Sequence, residues 1–230
     1  MKRYRYLLWD LDGTILDFAA SESAAIRKLF RKYGLGECTD EMLAAYSAIN
    51  VRWWQALERG EFTKPEILVG RFREFFRLEG IDEGLAERFN ADYQPALGDT
   101  IVFRDDAVNV LTGLKSACVL AAVTNGTKEA QLKKLRVSGL DKIFDHVFIS
   151  EDIGFEKPNR GFFDAVFRTM NITDPGQVLI IGDSLTSDIR GGLNAGIDTC
   201  WYNPAGKAPD PGTPASMEIR DLRELPAMLL

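Results

Sequence analysis

The chain has 230 residues, of which 46% are hydrophobic and 27% are charged, a balance that fits an ordinary globular protein. Its net charge of −6 provides no positive field to hold a polyanion, so a long nucleic acid is not expected as a partner. The longest apolar runs, such as Val119–Val123, are too short to cross a bilayer, so no membrane partner is expected either.

The N-terminal segment and the cysteines indicate the cellular compartment. The N-terminal segment reaches an acid at Asp10, too early for the apolar part of a signal peptide. Cys38, Cys118 and Cys200 lie far apart without a CxxC pair, which argues against a disulfide framework and against a zinc site. We therefore expect a cytoplasmic protein with single buried thiols. Its only histidine is His146, so acid–base chemistry is expected to use carboxylates or lysine.

The predicted elements alternate between strands and helices, except for one long helical block. The aromatic and aliphatic run Tyr4–Trp9, which ends abruptly at Asp10, predicts a buried first strand. Four helical patterns follow it, at Ser21–Tyr33, Asp40–Arg59, Lys64–Gly80 and roughly Glu83–Tyr93. Short apolar runs then predict four more strands, at Val119–Val123, Val147–Ile149, Val178–Ile181 and Thr199–Tyr202. Further helical patterns lie near Asp105–Ser116, Lys128–Ser138, Gly161–Met170 and Ser187–Ala195, and Met217–Leu230 is expected to add a last edge strand or helix.

This order predicts an α/β fold in two parts. Residues 1–17 and 97–230 are expected to form a Rossmann-like core with a parallel sheet covered on both faces. Residues 18–96 are expected to form a helical cap domain inserted after the first strand. Open α/β sheets bind ligands in a cleft at the carboxyl ends of their strands, so functional residues are expected there.

The segment Asp10-Leu11-Asp12-Gly13-Thr14 directly follows the first predicted strand. In extended chain, residues two apart point to the same face, so both carboxylates can enter one site. Two acids that close repel each other, which separates their proton affinities and lets one act as a nucleophile and the other as a general acid. The competing interpretation is an ordinary turn at a strand end, where Asp and Gly are common.

Two shorter segments follow later strands. Thr124-Asn125-Gly126 offers a hydroxyl, an amide and backbone N–H groups that suit a phosphate oxygen, although Asn-Gly also favours a simple turn. Lys157-Pro158 could place a point charge beside a carboxylate or a phosphate, although Lys-Pro is also common in solvated loops.

A last acidic segment completes the pattern. Asp183 follows the strand Val178–Ile181, and Asp188 lies in the first turn of the next helix, where helix capping would also explain an acid. All four segments follow predicted parallel strands and hence lie at one edge of the sheet. Carboxylates at that density are costly without a cation among them, and the absence of nearby histidine or cysteine favours Mg²⁺ over zinc.

DLDGT, TNG, KP and GDSLTSD, in this order and spacing, resemble the four motifs of the haloacid dehalogenase superfamily. The resemblance implies a core domain with an inserted helical cap of the C1 type. It also implies a phosphatase that works through an aspartyl-phosphate intermediate. The implied roles are nucleophile for Asp10, acid and base for Asp12, phosphate contact for Thr124 with Asn125, and charge stabilisation for Lys157. The implied Mg²⁺ ligands are Asp10, Asp183 and the backbone carbonyl of Asp12, with Asp188 beside the metal and oriented toward Lys157.

The segments YSAIN with Trp54, GEFTK, and RF at Arg71 resemble, more specifically, the pyrimidine 5′-nucleotidase branch of this superfamily. This resemblance implies UMP, dUMP, dTMP and analogues as substrates. Asn50 could read a pyrimidine edge, Phe18 or Trp54 could stack on the base, and Arg71 could contact the sugar or a loop. Aromatic residues at helical spacing are also typical of a packed core.

Other interpretations remain open at this stage. A phosphatase or phosphomutase of small sugar phosphates would carry the same core motifs, because specificity lies mostly in the cap. A binding module on a disabled scaffold would be expected to lack Asp10 or Asp183, and both are present. The sequence is compatible with a monomer or a homodimer.

Overall fold

The computed structural model describes residues 4–230, which separate into two compact units. The α/β unit contains the described residues up to Asp17 together with Val102–Leu230, and the helical unit contains Phe18–Ile101. The helical unit therefore ends at Ile101, beyond residue 96 where the sequence pattern places the boundary. The chain between Ala96, the last residue of the preceding helix, and Ile101 has no regular structure, so no periodic pattern marks this end.

The α/β unit is built on a six-stranded sheet in which every pair of neighbours is parallel. The strands are β1 Tyr6–Trp9, β2 Val119–Thr124, β3 His146–Ile149, β4 Val178–Gly182, β5 Asp198–Tyr202 and β6 Met217–Ile219. Their order across the sheet is β3-β2-β1-β4-β5-β6, so β1 lies between β2 and β4. The predicted parallel α/β fold is confirmed. All five strand predictions correspond to strands, and the C-terminal segment supplies β6 and a short helix.

Burial explains why these segments form central strands. Residues 7–9 of β1 are fully buried, as are residues 120–123 of β2 and 178–181 of β4. Strands of a parallel sheet that are covered on both faces need a continuous apolar run rather than an alternating one. Leu8, Ala121 and Ile180 share one buried cluster with Phe162, Phe163 and Val166 of a later helix.

The helical unit contains four α-helices: α1 Phe18–Tyr33, α2 Asp40–Glu58, α3 Lys64–Glu79 and α4 Ala86–Ala96. The Thr39 hydroxyl caps α2 by accepting the Met42 N–H at 3.2 Å. Gly80 ends α3 in the left-handed conformation. The core of this unit is aromatic, with the rings of Tyr46 and Phe72 stacked at 5.0 Å between centroids.

The described part of the α/β unit contains six more α-helices. They are α5 Ala107–Lys115, α6 Lys128–Ser138, α7 Ser150–Ile153, α8 Arg160–Met170, α9 Arg190–Ala195 and α10 Leu225–Leu229. A π-helical turn, Leu185–Ile189, precedes α9. Within residues 4–230, we find no helix with the length and apolarity needed to span a membrane. Cys38, Cys118 and Cys200 are all buried, as predicted, and none of the three is part of a disulfide.

Candidate active site

The polar segments singled out in the sequence lie at the carboxyl edge of the sheet, close to its centre. Trp9, the last residue of β1, lies opposite Ala122 of β2 and Ile181 of β4. Asp10 follows β1 directly, and Asp183 follows β4 directly. Because the three strands are parallel and in register, the residues that follow them emerge side by side.

Lys157 connects the acids at this edge. Its Nζ donates to Asp10 Oδ1 at 2.8 Å, to Asp188 Oδ1 at 2.6 Å and to the Val123 carbonyl at 2.8 Å. The Lys157 and Asp188 side chains are each only 1% exposed, so these charges interact with little screening by water. The three contacts satisfy all three donors of the ammonium group, which fixes its position.

Asn125 positions the backbone of the lysine. Its side-chain nitrogen donates to the Lys157 carbonyl at 2.8 Å, and its side-chain oxygen accepts the Lys157 N–H at 2.8 Å. The neighbouring Thr124 is buried, and its hydroxyl oxygen accepts the Gly126 N–H at 3.1 Å. The sequence pattern predicts a catalytic role for Asn125, and in the structure its side chain contacts the backbone of Lys157.

Asp183 is held by contacts from two directions. The Thr14 hydroxyl lies 3.3 Å from Asp183 Oδ1 and 3.3 Å from Asp10 Oδ2, so it lies between the two carboxylates. Trp201 of β5 donates its ring N–H to the Asp183 carbonyl at 3.0 Å. Gly13 has a φ of +99°, and a Cβ there would lie 2.6 Å from Asp183 Oδ2, so both backbone conformation and space require glycine.

Burial and charge act together on the ionisation of this cluster. Burial raises the pKa of the Asp10 carboxyl well above its usual range; the Lys157 ammonium opposes this, and Asp188 and Asp183 add to the rise. Burial, followed by repulsion from Asp188, likewise raises the pKa of Asp183. Burial lowers the pKa of Lys157, but Asp10 and Asp188 more than offset it, so its pKa lies above the usual value. The lysine therefore stays charged, while its charge does not fully compensate the acids.

The cluster has the composition of a cation site. Carboxylate oxygens of Asp10, Asp183 and Asp188 lie within 4.8 Å of one another. All the donors are oxygen, the ligand type that hard divalent cations prefer. Uncompensated negative charge and a hard-ligand set together fit a divalent cation. Asp188 also accepts from Lys157 and, at 3.1 Å, from the Ser184 N–H.

Asp12 has two partners on α6 that the sequence analysis missed. Lys134 Nζ contacts Asp12 Oδ1 at 2.5 Å, and Gln131 Nε2 donates to Asp12 Oδ2 at 2.7 Å. The spacing of three residues on one helix places Gln131 and Lys134 on the same face, which is the one signal that could have paired them. That signal is weak, because α6 carries three lysines and its sequence does not show which of them is buried.

The residues predicted to contact the substrate's base and sugar lie in the helical unit. Asn50 and Arg71 contact each other, with Arg71 Nη1 donating to Asn50 Oδ1 at 2.7 Å. Asn50 Nδ2 donates to Glu22 Oε1 at 3.0 Å. Phe18 begins α1 and Trp54 lies on α2, and both are half-buried. The helical unit thus brings Asn50 and Arg71 together through α2 and α3.

Comparison with known proteins agrees with this fold and site. Residues 4–196 match the family model of the haloacid dehalogenase-like hydrolases. The HAD-hydrolase YfnB of Bacillus subtilis is 42% identical over 98% of this chain and 95% of its own length. A crystal structure of YfnB bound to magnesium superposes with a TM-score of 0.92 at 40% identity, covering 99% of both chains.

Two further relatives carry the name of an activity. The pyrimidine 5′-nucleotidase PynA of Streptococcus pneumoniae is 36% identical over 87% of this chain and 84% of its own. The pyrimidine 5′-nucleotidase YjjG of Escherichia coli is 28% identical over 99% of this chain and 98% of its own. The fold and site are those of an α/β enzyme with an acidic centre at the carboxyl edge of a parallel sheet. The chain belongs to the haloacid dehalogenase-like hydrolase family, so the resemblance found in the sequence is confirmed.

Proposed function

We propose that this hydrolase is a Mg²⁺-dependent phosphatase that cleaves pyrimidine nucleoside 5′-monophosphates in the cytoplasm. The observation that carries the proposal is the placement of Asp10. Its carboxylate is buried between Lys157 and Thr14 and lies beside Asp183. A carboxylate held this way is a fixed nucleophile next to compensating charge, which is what phosphoryl transfer needs from a protein.

The reaction would proceed in two steps through Asp10. One Asp10 oxygen forms a bond to phosphorus while the ester oxygen leaves, and the Asp12 carboxyl gives its proton to that leaving oxygen. Water then attacks the aspartyl-phosphate and gives a proton to the Asp12 carboxylate, which releases inorganic phosphate and restores Asp10. Proton transfer of this kind is typically worth ~10²–10⁴ in rate.

Lys157 and the segment after β2 would handle the phosphoryl charge. The ammonium of Lys157 is fixed by three acceptors and stabilises both Asp10 and the transferred group. Thr124 and the backbone N–H groups after it would hold a phosphate oxygen at the start of the following helix. Asn125 supports this arrangement by fixing the Lys157 backbone.

Asp10, Asp183 and the backbone carbonyl of Asp12 would hold the Mg²⁺, with Asp188 beside them. Bound there, the ion supplies positive charge to the phosphoryl oxygens. The support for this assignment is the acidic cluster itself and the magnesium bound to the YfnB structure.

The substrate class rests on the two pyrimidine 5′-nucleotidases among the relatives and on the polar residues of the helical unit. Asn50 keeps a second amide hydrogen and a second lone pair beyond its contacts with Glu22 and Arg71, enough to pair with a pyrimidine edge. Phe18 and Trp54 would stack on the base, and Arg71 would contact the sugar or hold Asn50 in place.

Phosphate release from a substrate panel tests the proposal. The panel contains UMP, dUMP, dTMP, purine nucleotides and hexose phosphates, each assayed with Mg²⁺ and with a chelator. We expect metal-dependent release that is strongest for the pyrimidine nucleotides. Release from hexose phosphates alone would keep the chemistry and overturn the substrate class, whereas full release in chelator would overturn the role of the metal.

A further inference from the structure

The ion pair between Asp12 and Lys134 differs in its burial from the ion pair that Lys128 of α6 forms with Asp152. The Lys134 side chain is 0% exposed and Asp12 is 19% exposed, with 2.5 Å between Nζ and Oδ1. Lys128, on the same helix, pairs with Asp152 at the same 2.5 Å, but both of those side chains are 50% exposed. The two pairs match in chemistry and length, so burial and partner are what distinguish Lys134.

The burial of Lys134 and Gln131 is not explained by a gain in the stability of the fold. A buried ion pair gains little net stability, because desolvation offsets the attraction between the charges. Gln131 is 1% exposed, and its buried Oε1 finds no hydrogen-bond partner among the described residues. A buried acceptor that makes no hydrogen bond lowers the stability of the fold. Residues that break the rules of a stable interior while contacting a reactive group are expected at functional sites.

The local backbone makes room for this arrangement. A Cβ on Gly126 would lie 2.1 Å from Gln131 Nε2 and 2.7 Å from Gln131 Cδ. Because Gly126 has no side chain, the Gln131 amide fits between the Gly126 backbone and Asp12. Together with Lys134, this amide takes both oxygens of Asp12, which fixes the plane of the carboxyl group as well as its position.

We propose that Lys134 and Gln131 are positioning residues that hold the Asp12 carboxyl in the orientation needed for proton transfer to the leaving group. The inference rests on the proposed function, since it requires Asp12 to be the acid and base. Lys134 donates a charge-assisted hydrogen bond to Asp12 Oδ1, which is stronger than the neutral hydrogen bond from Gln131 to Oδ2. Oδ2 is held by a neutral amide, so it is the oxygen that is more easily released to the substrate.

The test compares two leaving groups. An alkyl oxygen, as in UMP or the best alkyl phosphate of the panel, needs a proton to depart, whereas the aryl oxygen of 4-nitrophenyl phosphate leaves without one. The quantity measured is kcat/KM, which reports the steps up to departure of the leaving group. Lys134→Met should lower kcat/KM for the alkyl phosphate about 10²-fold, the cost of a misplaced catalytic group. The aryl phosphate should lose less than about fivefold, because its departure does not use the acid.

Lys128→Met is the matched control, and it should leave both substrates at the wild-type rate. A double variant shows whether Lys134 acts through Asp12. In an Asp12→Asn background, Lys134→Met should change kcat/KM by less than about twofold, because coupled residues are not additive. Full additivity there would overturn the proposal.

The other outcomes are also decisive. An equal loss on both substrates would mean that Lys134 only supports the fold, and would overturn the inference. If Lys134→Met does not fold, Gln131→Leu must show the selective loss on its own, and an equal loss in that variant also overturns the inference. If Asp12→Asn lowers kcat/KM selectively for the alkyl phosphate while the Lys134 and Gln131 variants do not, the positioning role is refuted and the acid role of Asp12 stands. Equal loss in Asp12→Asn refutes the acid role in the proposed function as well.

Discussion

The two units of this protein each bury a group of charges, and they balance those charges differently. In the α/β unit, carboxylates of Asp10, Asp183 and Asp188 come within 4.8 Å of one another, and the Lys157 ammonium contacts two of them. In the helical unit, a Glu22 carboxylate and an Arg71 guanidinium are joined through Asn50, which contacts both. One group carries an excess of negative charge, and the other is matched within its own helices.

The helical group extends further through neutral side chains. Arg71 Nη2 donates to Asn90 at 3.3 Å, Gln94 donates to the same Asn90 oxygen at 2.7 Å, and Ser47 donates to Glu22. The Arg71 guanidinium also lies 5.1 Å from the ring centroid of Phe72. A matched network of this kind supports a specific packing, whereas an unmatched cluster has free energy to gain from a ligand. We therefore expect the acidic cluster at the sheet edge to bind a ligand. We expect the buried polar network of the helical unit to contribute mainly to packing.

The largest effect is expected at the nucleophile. Asp10→Asn should lower the rate of phosphate release by at least about 10⁴-fold, the scale seen when a nucleophile is removed. The same variant should take up no ³²P from labelled substrate after an acid quench, because no aspartyl-phosphate can form. Near-normal turnover would remove Asp10 from the chemistry and leave the sheet edge without its assigned role.

Removal of Arg71 tests the matched group. Arg71→Met removes a buried guanidinium and takes donors from Asn50 and Asn90, so the free energy of unfolding should fall by about 3–5 kcal/mol. Arg73→Met is the control on α3, since Arg73 pairs with Glu87 while its side chain is 51% exposed. Its cost in urea unfolding should stay within about 0.5 kcal/mol. Similar costs for the two variants would contradict a packing role that is specific to Arg71.

The cation site is tested by titrating Mg²⁺. Asp183→Asn removes one negative ligand from the cluster, so the Mg²⁺ concentration for half-maximal activity should rise at least about tenfold. Chelator should abolish activity in the wild type, and added Mg²⁺ should restore it. An unchanged Mg²⁺ requirement in Asp183→Asn would mean that the ion binds elsewhere.

The smallest effect is expected for substrate choice. Asn50→Ala should lower the preference for UMP over a hexose phosphate by about tenfold, the discrimination that a lost hydrogen bond to substrate typically gives. Stability should be measured alongside, because Asn50 also joins Glu22 to Arg71. If Asn50→Ala lowers stability but leaves the substrate ranking intact, Asn50 serves only packing. The polar network of the helical unit would then have no part in substrate choice through this residue.

The strands and the residues after them were predictable because both leave a strong local signal. A run of aromatic and aliphatic residues that stops at an acid, as Tyr4–Trp9 stops at Asp10, marks both a buried strand and the sheet edge where the candidate site lies. The partners of Asp12 were not predictable, because burial of Lys134 rather than Lys128 depends on tertiary packing. The role of Asn125 was hidden for the same reason, since its partner lies 32 residues away in sequence. The local sequence pattern shows which side chains lie at the carboxyl edge of the sheet. Which of those side chains form hydrogen bonds or ion pairs with each other depends on the tertiary structure.

The close contact between Gly126 and Gln131 has a consequence for how this chain can vary. A side chain at position 126 and the Gln131 amide would occupy the same space, so we expect the residues allowed at one position to depend on the residue at the other. Gly126→Ala alone forces the glutamine out, and we expect it to be rejected. The pair Gly126→Ala with Gln131→Ala restores the room while giving up one partner of Asp12. We therefore expect a side chain at position 126 to be accepted more readily after Gln131 has been replaced by a smaller residue than before.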